Sequence, residues 1–226
     1  MHIEPGVVDG AKLALSYATA AGAAGLGLKL AAENLRTDGG LSSLALRSLA
    51  TTALVFCFFE VLPHFPVGVS EVHLILGSTL FLLFGAGAAS IGLAAGLLLQ
   101  GVFFAPFDLP QYGMNVTTLL VPLWGVSVLA KRIIAPRSAY VDLRYTQVLA
   151  LSTAYQGGVV GWVAFWAFYG SGFGVENLAS IGTFGAAYMT VVLIEPLVDL
   201  AVLASAKATR LLTQAPIFTY RLHAGA

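Results

Sequence analysis

The first two residues of the chain, Met1 and His2, have the types and spacing best suited to metal chemistry. A free terminal amine, the backbone nitrogen between the two residues and Nδ1 of the histidine ring can bind one ion together, closing adjacent chelate rings in a single plane. Planar nitrogen sites suit Ni(II) or Cu(II), with Co(II) as a plausible neighbour. Because initiator methionine is normally removed only before a small residue, we expect Met1 to remain.

Two further histidines could supply a fourth nitrogen. His64 lies between two prolines, and His73 follows Ser70-Glu71-Val72. We favour His73 because it is predicted to open a helix, which would hold the ring on a rigid element. His64 stays the alternative ligand. Gly6 would permit a tight turn that folds the terminus back toward the rest of the chain.

The composition indicates a membrane protein. Hydrophobic residues make up 58% of the 226 and charged residues only 10%, whereas soluble domains average about 25% charged. The apolar runs have helix length, and the alternation of outer-membrane strands is absent. A net charge of zero argues against nucleic-acid binding, and the single Cys57 excludes a disulfide framework. Residues 1–10 lack the basic and apolar regions of a secretory signal.

The apolar runs predict an all-α integral membrane protein, a bundle of seven transmembrane helices with the amino terminus folded back into it. We expect one metal-capture domain over residues 1–206 and a tail over 207–226. The third helix is short if it begins at His73. The predicted spans are roughly 11–32, 44–62, 72–85, 87–105, 115–131, 143–168 and 178–206.

The basic residues predict the orientation of these helices. Of the eleven Lys and Arg residues, all except Lys12 fall in or beside the segments that share a side with the carboxyl terminus. The positive-inside rule therefore places the amino terminus outside and the carboxyl terminus in the cytoplasm. An outer face rich in acids and histidines would suit capture of a cation. The acids and histidines predicted there are His2, Glu4, Asp9, Glu60, His64, Glu71, His73, Asp108 and Glu176.

Two features of the helices have more than one interpretation. Ala14, Ala18 and Gly22 form a stripe of small residues on the first helix, which would serve either packing within the chain or docking of another membrane subunit. Glu195 and Asp199 flank Pro196-Leu197-Val198 inside the seventh helix. Acids within the membrane are costly and usually face the protein interior or a partner, but the sequence assigns these two no role.

Three stretches of the sequence resemble one known family. They are the opening Met1-His2-Ile3 with Gly6, the stretch from Phe65 through His73 before a glycine-rich helix, and the leucine-rich helix ending at Gln100 followed by Gly113-Met114-Asn115. Together they resemble the cobalt/nickel substrate-capture component of energy-coupling-factor ABC transporters, the CbiM/NikM family. The resemblance covers about residues 1–130 well and the remainder in helix pattern.

The resemblance implies a planar nitrogen site made by the amine of Met1, the backbone nitrogen and ring of His2, and His73, with Asn115 orienting the site. It implies Ni(II) or Co(II) as the transported substrate, and no organic cofactor. The implied partners are a transmembrane coupling subunit, a pair of cytoplasmic ATPases and a small accessory membrane protein. No phosphate-binding loop with lysine occurs in the chain, so we expect the energy for uptake to come from such a partner, in a bacterial cytoplasmic membrane.

Three other classes of membrane protein require different sequence features. An intramembrane metalloenzyme would be expected to carry a His-Glu-x-x-His pair, which is absent. A retinal-type seven-helix sensor needs a lysine inside the seventh helix, and Lys207 lies at that helix's end. An ion channel needs a ring of polar groups along its pore, and this chain offers few. The sequence does not choose between nickel and cobalt.

Overall fold

The computed structural model describes residues 3–209 and 215–224 of the chain. These residues form helices and one small antiparallel sheet. The helices are α1 Leu13–Thr37, α2 Gly40–Glu60, α3 Gly77–Phe84, α4 Ala86–Phe103, α5 Tyr112–Ile133, α6 Tyr145–Ser171 and α7 Val175–Ala208. Strands β1 Phe65–Val67 and β2 Ser70–Val72 form a hairpin between α2 and α3. Short 3-10 turns cover Gly10–Lys12, Pro106–Gln111, Tyr140–Asp142 and Tyr220–Leu222.

Within the described residues, six helices are long and apolar enough to cross a membrane. These are α1, α2, α4, α5, α6 and α7, and they correspond to six of the seven predicted spans. The prediction of a helix over 72–85 was wrong in its first third, because α3 has only eight residues and is about 12 Å long at 1.5 Å per residue. His73 therefore does not open a helix, and residues 3–209 and 215–224 contain no seventh helix of spanning length.

The segment from His73 to Phe84 nevertheless runs through the bundle from one end to the other. Its first end adjoins β2, whose Ser70 pairs with Ile3. At its other end, the Phe84 carbonyl accepts a hydrogen bond from Arg47 Nη1 at 2.9 Å. Non-helical backbone covers more distance per residue than a helix, so the four residues before α3 and this short helix together make the crossing. We call these two ends the hairpin end and the Arg47 end.

Small residues bring neighbouring helices into close contact. A Cβ added at Gly92 of α4 would lie 2.2 Å from Thr51 Oγ1 of α2, and one at Gly96 would lie 2.7 Å from Val55 Cγ1. A Cβ at Gly113, at the start of α5, would lie 2.8 Å from the Ser16 carbonyl oxygen of α1. These glycines explain how α4 packs along α2 and α5 along α1.

The predicted stripe on α1 behaves differently from the glycines of α4. Ala14, Ala18 and Gly22 are all exposed, and a Cβ added at Gly22 would meet nothing within 4 Å. The stripe therefore makes no packing contact within the described chain at Gly22. It faces outward from the bundle, toward lipid or another protein.

Candidate metal centre

The candidate site lies at the hairpin end, where the amino-terminal segment pairs with the β1–β2 hairpin through an isolated bridge. Ile3 forms an antiparallel bridge with Ser70, and the Glu4 N–H donates to the Val69 carbonyl at 3.3 Å. The Ile3 side chain is fully buried. Apolar burial and backbone pairing together fix this segment against the bundle.

A turn directs the chain into and out of this position. The Val7 N–H donates to the Glu4 carbonyl at 3.2 Å, and Gly6 has a φ of 91°. This geometry fits a type II turn with Pro5 and Gly6 at its centre, where the second central residue needs a positive φ. The predicted turn at Gly6 is thus present.

Asn115, in the first turn of α5, holds the amino-terminal segment from the opposite side. Its Oδ1 accepts a hydrogen bond from the Ile3 N–H at 3.0 Å, and the residue is almost fully buried. Its Nδ2 has no hydrogen-bond partner among the residues that the structure describes. Asn115 therefore binds the backbone of the amino-terminal segment at Ile3, and its role in orienting a metal site stays a prediction.

His73 lies at the end of β2, with only 1% of its surface exposed. Its Nε2 is 2.8 Å from Glu71 Oε2, and the edge of the Phe59 ring packs against it at 5.5 Å between centroids. A carboxylate that accepts from Nε2 fixes the ring orientation and favours the tautomer protonated there. Strand β2 and Glu71, rather than a helix, thus position this imidazole.

His64 is close to His73 but in a different environment. The two rings stack with their centroids 5.0 Å apart and their planes 9° from parallel. His64 is exposed, and its Nδ1 lies 3.3 Å from the Leu62 carbonyl oxygen. The structure therefore brings both candidate histidines together, with His73 inside the bundle and His64 covering it.

Acidic side chains surround this end of the bundle. Burial and the negative charge of Glu71 both raise the pKa of Glu4. Asp108, in the turn before α5, is buried and is close enough to both glutamates to feel their charge. Carboxylates that repel one another are relieved by a cation between them.

Comparison with known proteins identifies the family. A family model for the cobalt uptake substrate-specific transmembrane region, CbiM, matches residues 2–211. The chain belongs to the CbiM family. Two solved structures share its fold. A truncated transition metal transporter has a TM-score of 0.69 and 17% identity, covering 92% of this chain and 99% of its own. The second, a transition metal transporter, has a TM-score of 0.67 and 17% identity, and the match covers 95% of this chain and 97% of its own. Among curated proteins, none matches significantly.

Membership of the CbiM family makes the chain a multi-pass membrane protein and a component of metal transport. It confirms the resemblance inferred from the sequence, and it favours transport over the enzyme and sensor alternatives. Two of the ligands predicted for this family member, Met1 and His2, lie outside the described residues. Among residues 3–209 and 215–224, no group of three or more histidine, cysteine, aspartate or glutamate side chains is arranged to hold a metal ion.

The structure also gives a position to the two acids whose role the sequence left open. In this CbiM-family bundle, Glu195 and Asp199 of α7 are buried and accept hydrogen bonds from the amino end of α3 and from α6. The donors are the Leu76 N–H, Ser78, Thr79, Ser152 and Gln156. The sequence marks these residues only as isolated polar side chains inside apolar helices. Its spacing does not show which donors and acceptors pair, because they are far apart along the chain.

Proposed function

We propose that this protein captures Ni(II) or Co(II) at the hairpin end and delivers it for ATP-driven uptake by an energy-coupling-factor transporter. The observation that carries the proposal is the fixed position of Ile3 between Ser70 and Asn115. Consecutive Cα atoms are about 3.8 Å apart, so the position of Ile3 supports a Met1-His2 chelate close to the hairpin that precedes His73. The proposed donors are the Met1 amine, the backbone nitrogen and ring of His2, and His73.

Preorganisation of the terminus supports this ligand set. Ordering a free chain costs about 1–2 kcal/mol per residue. A chelate on a long flexible terminus would lose that amount of binding free energy for every residue that binding orders. Here the backbone hydrogen bonds of Ile3 and Glu4 and the turn at Gly6 already fix the chain that follows the chelate. Binding energy is then not spent on ordering residues 3–7.

The pair formed by Glu71 and His73 supports His73 as the fourth donor. Imidazoles that bind metals usually donate their other N–H to a carboxylate or carbonyl, which fixes the ring and increases its basicity. Glu71 occupies that position at 2.8 Å from His73 Nε2. In this proposal His64 covers His73 and stays the alternative ligand. Its Nδ1 lies near the Leu62 carbonyl oxygen.

The remaining parts of the proposal concern orientation and partners. The hairpin end faces outward from a bacterial cytoplasmic membrane, and the tail over residues 207–226 lies in the cytoplasm behind a metal-capture domain of residues 1–206. A transmembrane coupling subunit, a pair of ATPases and a small accessory membrane protein complete the transporter. The exposed stripe of Ala14, Ala18 and Gly22 supports α1 as the docking helix, because small residues allow close helix contact in lipid.

The test is an extension of the chain by two glycines before Met1. We expect this variant to lose Ni(II) and Co(II) binding, because the terminal amine is then too far along the chain to close a chelate ring with the backbone nitrogen of His2. A single added glycine is unsuitable, because it would place the histidine third, where the amine, two backbone nitrogens and the imidazole form a planar site of their own. The same two glycines added after Ala226 are the matched control and should leave binding unchanged. Metal content is measured by elemental analysis of purified protein after reloading with each ion. Full metal content in the amino-terminally extended protein would refute the terminal chelate.

A further inference from the structure

We propose that Glu195 and Asp199 of α7 are positioning residues that set the location of His73 by capping the amino end of α3. This inference rests on the proposed role of His73 as a metal ligand. It assigns a function to two buried acids that neither the metal chelate nor the family assignment uses.

The first step is the capping contact itself. Glu195 Oε1 accepts from the Leu76 N–H at 3.0 Å. Asp199 accepts from Ser78 Oγ at 2.8 Å and from the Thr79 hydroxyl. The first N–H groups of a helix have no partners within it, and negative charge is favourable there because of the helix dipole. The two acids of α7 therefore hold the first turn of α3.

The second step is the conformation of Leu76. It is the one residue other than glycine with a positive φ in the described chain, at φ 54° and ψ 37°. A side chain in this left-handed conformation costs roughly 1–2 kcal/mol. Leu76 is the point at which extended backbone becomes helix, three residues after His73. If Leu76 left this conformation, the segment that carries the His73 imidazole would run in a different direction.

The third step is the rigidity of the acceptor. Glu195 Oε2 also accepts from Ser152 Oγ at 3.2 Å and from Gln156 Nε2 of α6. On the same side, a Cβ added at Gly77 would lie 2.2 Å from Cζ of Tyr155, so the ring packs directly on the α3 backbone. Helices α6 and α7 thus clamp the start of α3 together.

The fourth step explains why an acid occupies position 195. Three donors converge on its carboxylate, which accepts at both oxygens and donates at neither when ionised. A glutamine of the same shape would turn an N–H₂ group toward at least one of these donors. The three groups that face the Glu195 carboxyl are all donors, so a side chain that can accept at both oxygens fits this position.

The far end of the segment is fixed as well. The Leu83 carbonyl accepts from the Thr219 N–H at 2.8 Å, and the Phe84 carbonyl accepts from Arg47. Residues 77–84 therefore cannot slide along the bundle. Loss of the Glu195 contact should therefore displace the other end of the segment, which carries His73.

The test compares Glu195→Gln with Leu30→Ala, a control that creates a cavity on α1 and leaves the α3 cap intact. We expect Glu195→Gln to weaken Ni(II) binding by roughly 10–100-fold, the range typical of groups that orient a metal ligand. It should also change the visible spectrum of the bound Ni(II) and speed hydrogen exchange of the 73–80 amides in metal-free protein. Leu30→Ala should lower thermal stability without changing affinity, spectrum or exchange in that segment.

A second pair of variants separates positioning from general damage. Glycine adopts the left-handed conformation without the cost that leucine bears, so Leu76→Gly in a Glu195→Ala background should recover part of the lost affinity. Glu195 variants with natural affinity, spectrum and exchange would overturn the inference while leaving the proposed function intact. If the natural protein bound no metal, the proposed function would fail, and unchanged exchange in Glu195→Gln would then overturn the positioning role separately.

Discussion

At the hairpin end of the bundle a buried histidine pairs with a carboxylate, and at the Arg47 end a buried arginine does the same. His73 Nε2 lies 2.8 Å from Glu71 Oε2, and Arg47 Nη1 bonds to Asp38 Oδ2. Arginine keeps its charge at every physiological pH, whereas histidine gains and loses a proton near neutrality and binds metals when neutral. The same fold thus pairs one carboxylate with a side chain that stays charged and another with a side chain of the kind that binds metals.

The surroundings of the two carboxylates reinforce this difference. Besides Arg47, Asp38 accepts from Thr219 Oγ1 at 2.6 Å, from the Tyr220 N–H at 2.8 Å and from Asn34 Nδ2 at 3.2 Å. Asp38 therefore ties the turn between α1 and α2 to residues 215–224. Glu71 lies instead among other acids, with Glu4 near enough to repel it. The several donors around Asp38 indicate a structural role, whereas we expect the repulsion between Glu71 and Glu4 to favour a nearby cation.

The largest expected effect is the loss of Asp38. Removing one partner of a buried ion pair typically costs about 3–5 kcal/mol, because the other charge stays buried. We expect Asp38→Ala to lower the free energy of unfolding by that amount, with unchanged Ni(II) affinity of the folded fraction. Glu71→Ala should show the reverse, losing affinity with little loss of stability.

Denaturant unfolding in detergent and Ni(II) titration measure the two quantities on the same samples. The control is Asp142→Ala, whose partner Lys207 is at the surface, where ion pairs contribute about 0–1 kcal/mol. If Asp38→Ala and Glu71→Ala lost stability and affinity in the same proportions, the contrast between a structural and a functional pair would be wrong.

The contrast between the two histidines is the next largest effect. We expect His73→Ala to weaken Ni(II) binding by more than the roughly 10–100-fold that loss of an orienting group costs, because a donor atom is removed. His64→Ala should have a much smaller effect, since His64 is exposed and only stacks on His73. Titration of both variants at one pH makes the comparison, and the opposite order would transfer the fourth ligand to His64.

Six helices of the fold could be predicted because apolar runs of spanning length leave few alternatives to a helix in lipid. The same reasoning failed at residues 72–85. Extended backbone inside a bundle is tolerated only where other groups satisfy it, and here the donor at Leu76 meets an acceptor on α7, 119 residues away. No local pattern in the sequence carries that information.

The candidate site was predictable to a different degree at each residue. Gly6 could be assigned to a turn because that turn type demands a positive φ at one position. His73 stays a predicted ligand, and the structure places it directly after the strand that pairs with Ile3, but the reason given for preferring it, a helix beginning at the histidine, was wrong. Strand β2 and Glu71 hold the ring instead. The Met1-His2 chelate stays a prediction.

The smallest expected effect concerns Glu4. Burial and the charge of Glu71 raise its pKa above the ordinary value of 4.5. The folded protein thus keeps a proton on Glu4 at pH values where the unfolded chain has lost it. The stabilisation that comes from this retained proton is complete at pH values below the ordinary pKa of Glu4. It is lost as the pH rises through the raised pKa of Glu4 in the folded protein. Metal-free Glu4→Gln should lack this decline, which denaturant unfolding from about pH 4 to pH 7 would measure.

Bound metal should abolish the difference between Glu4→Gln and the natural protein. A divalent cation beside Glu4 and Glu71 offsets their mutual repulsion, so ionisation of Glu4 no longer opposes folding. Glu176→Gln, at an exposed carboxylate at the start of α7, controls for the loss of one negative charge. A stability difference that persisted in saturating Ni(II) would mean that the ion lies too far from Glu4 to feel it. The acids of the hairpin end would then resemble Asp38, serving the fold rather than the cation.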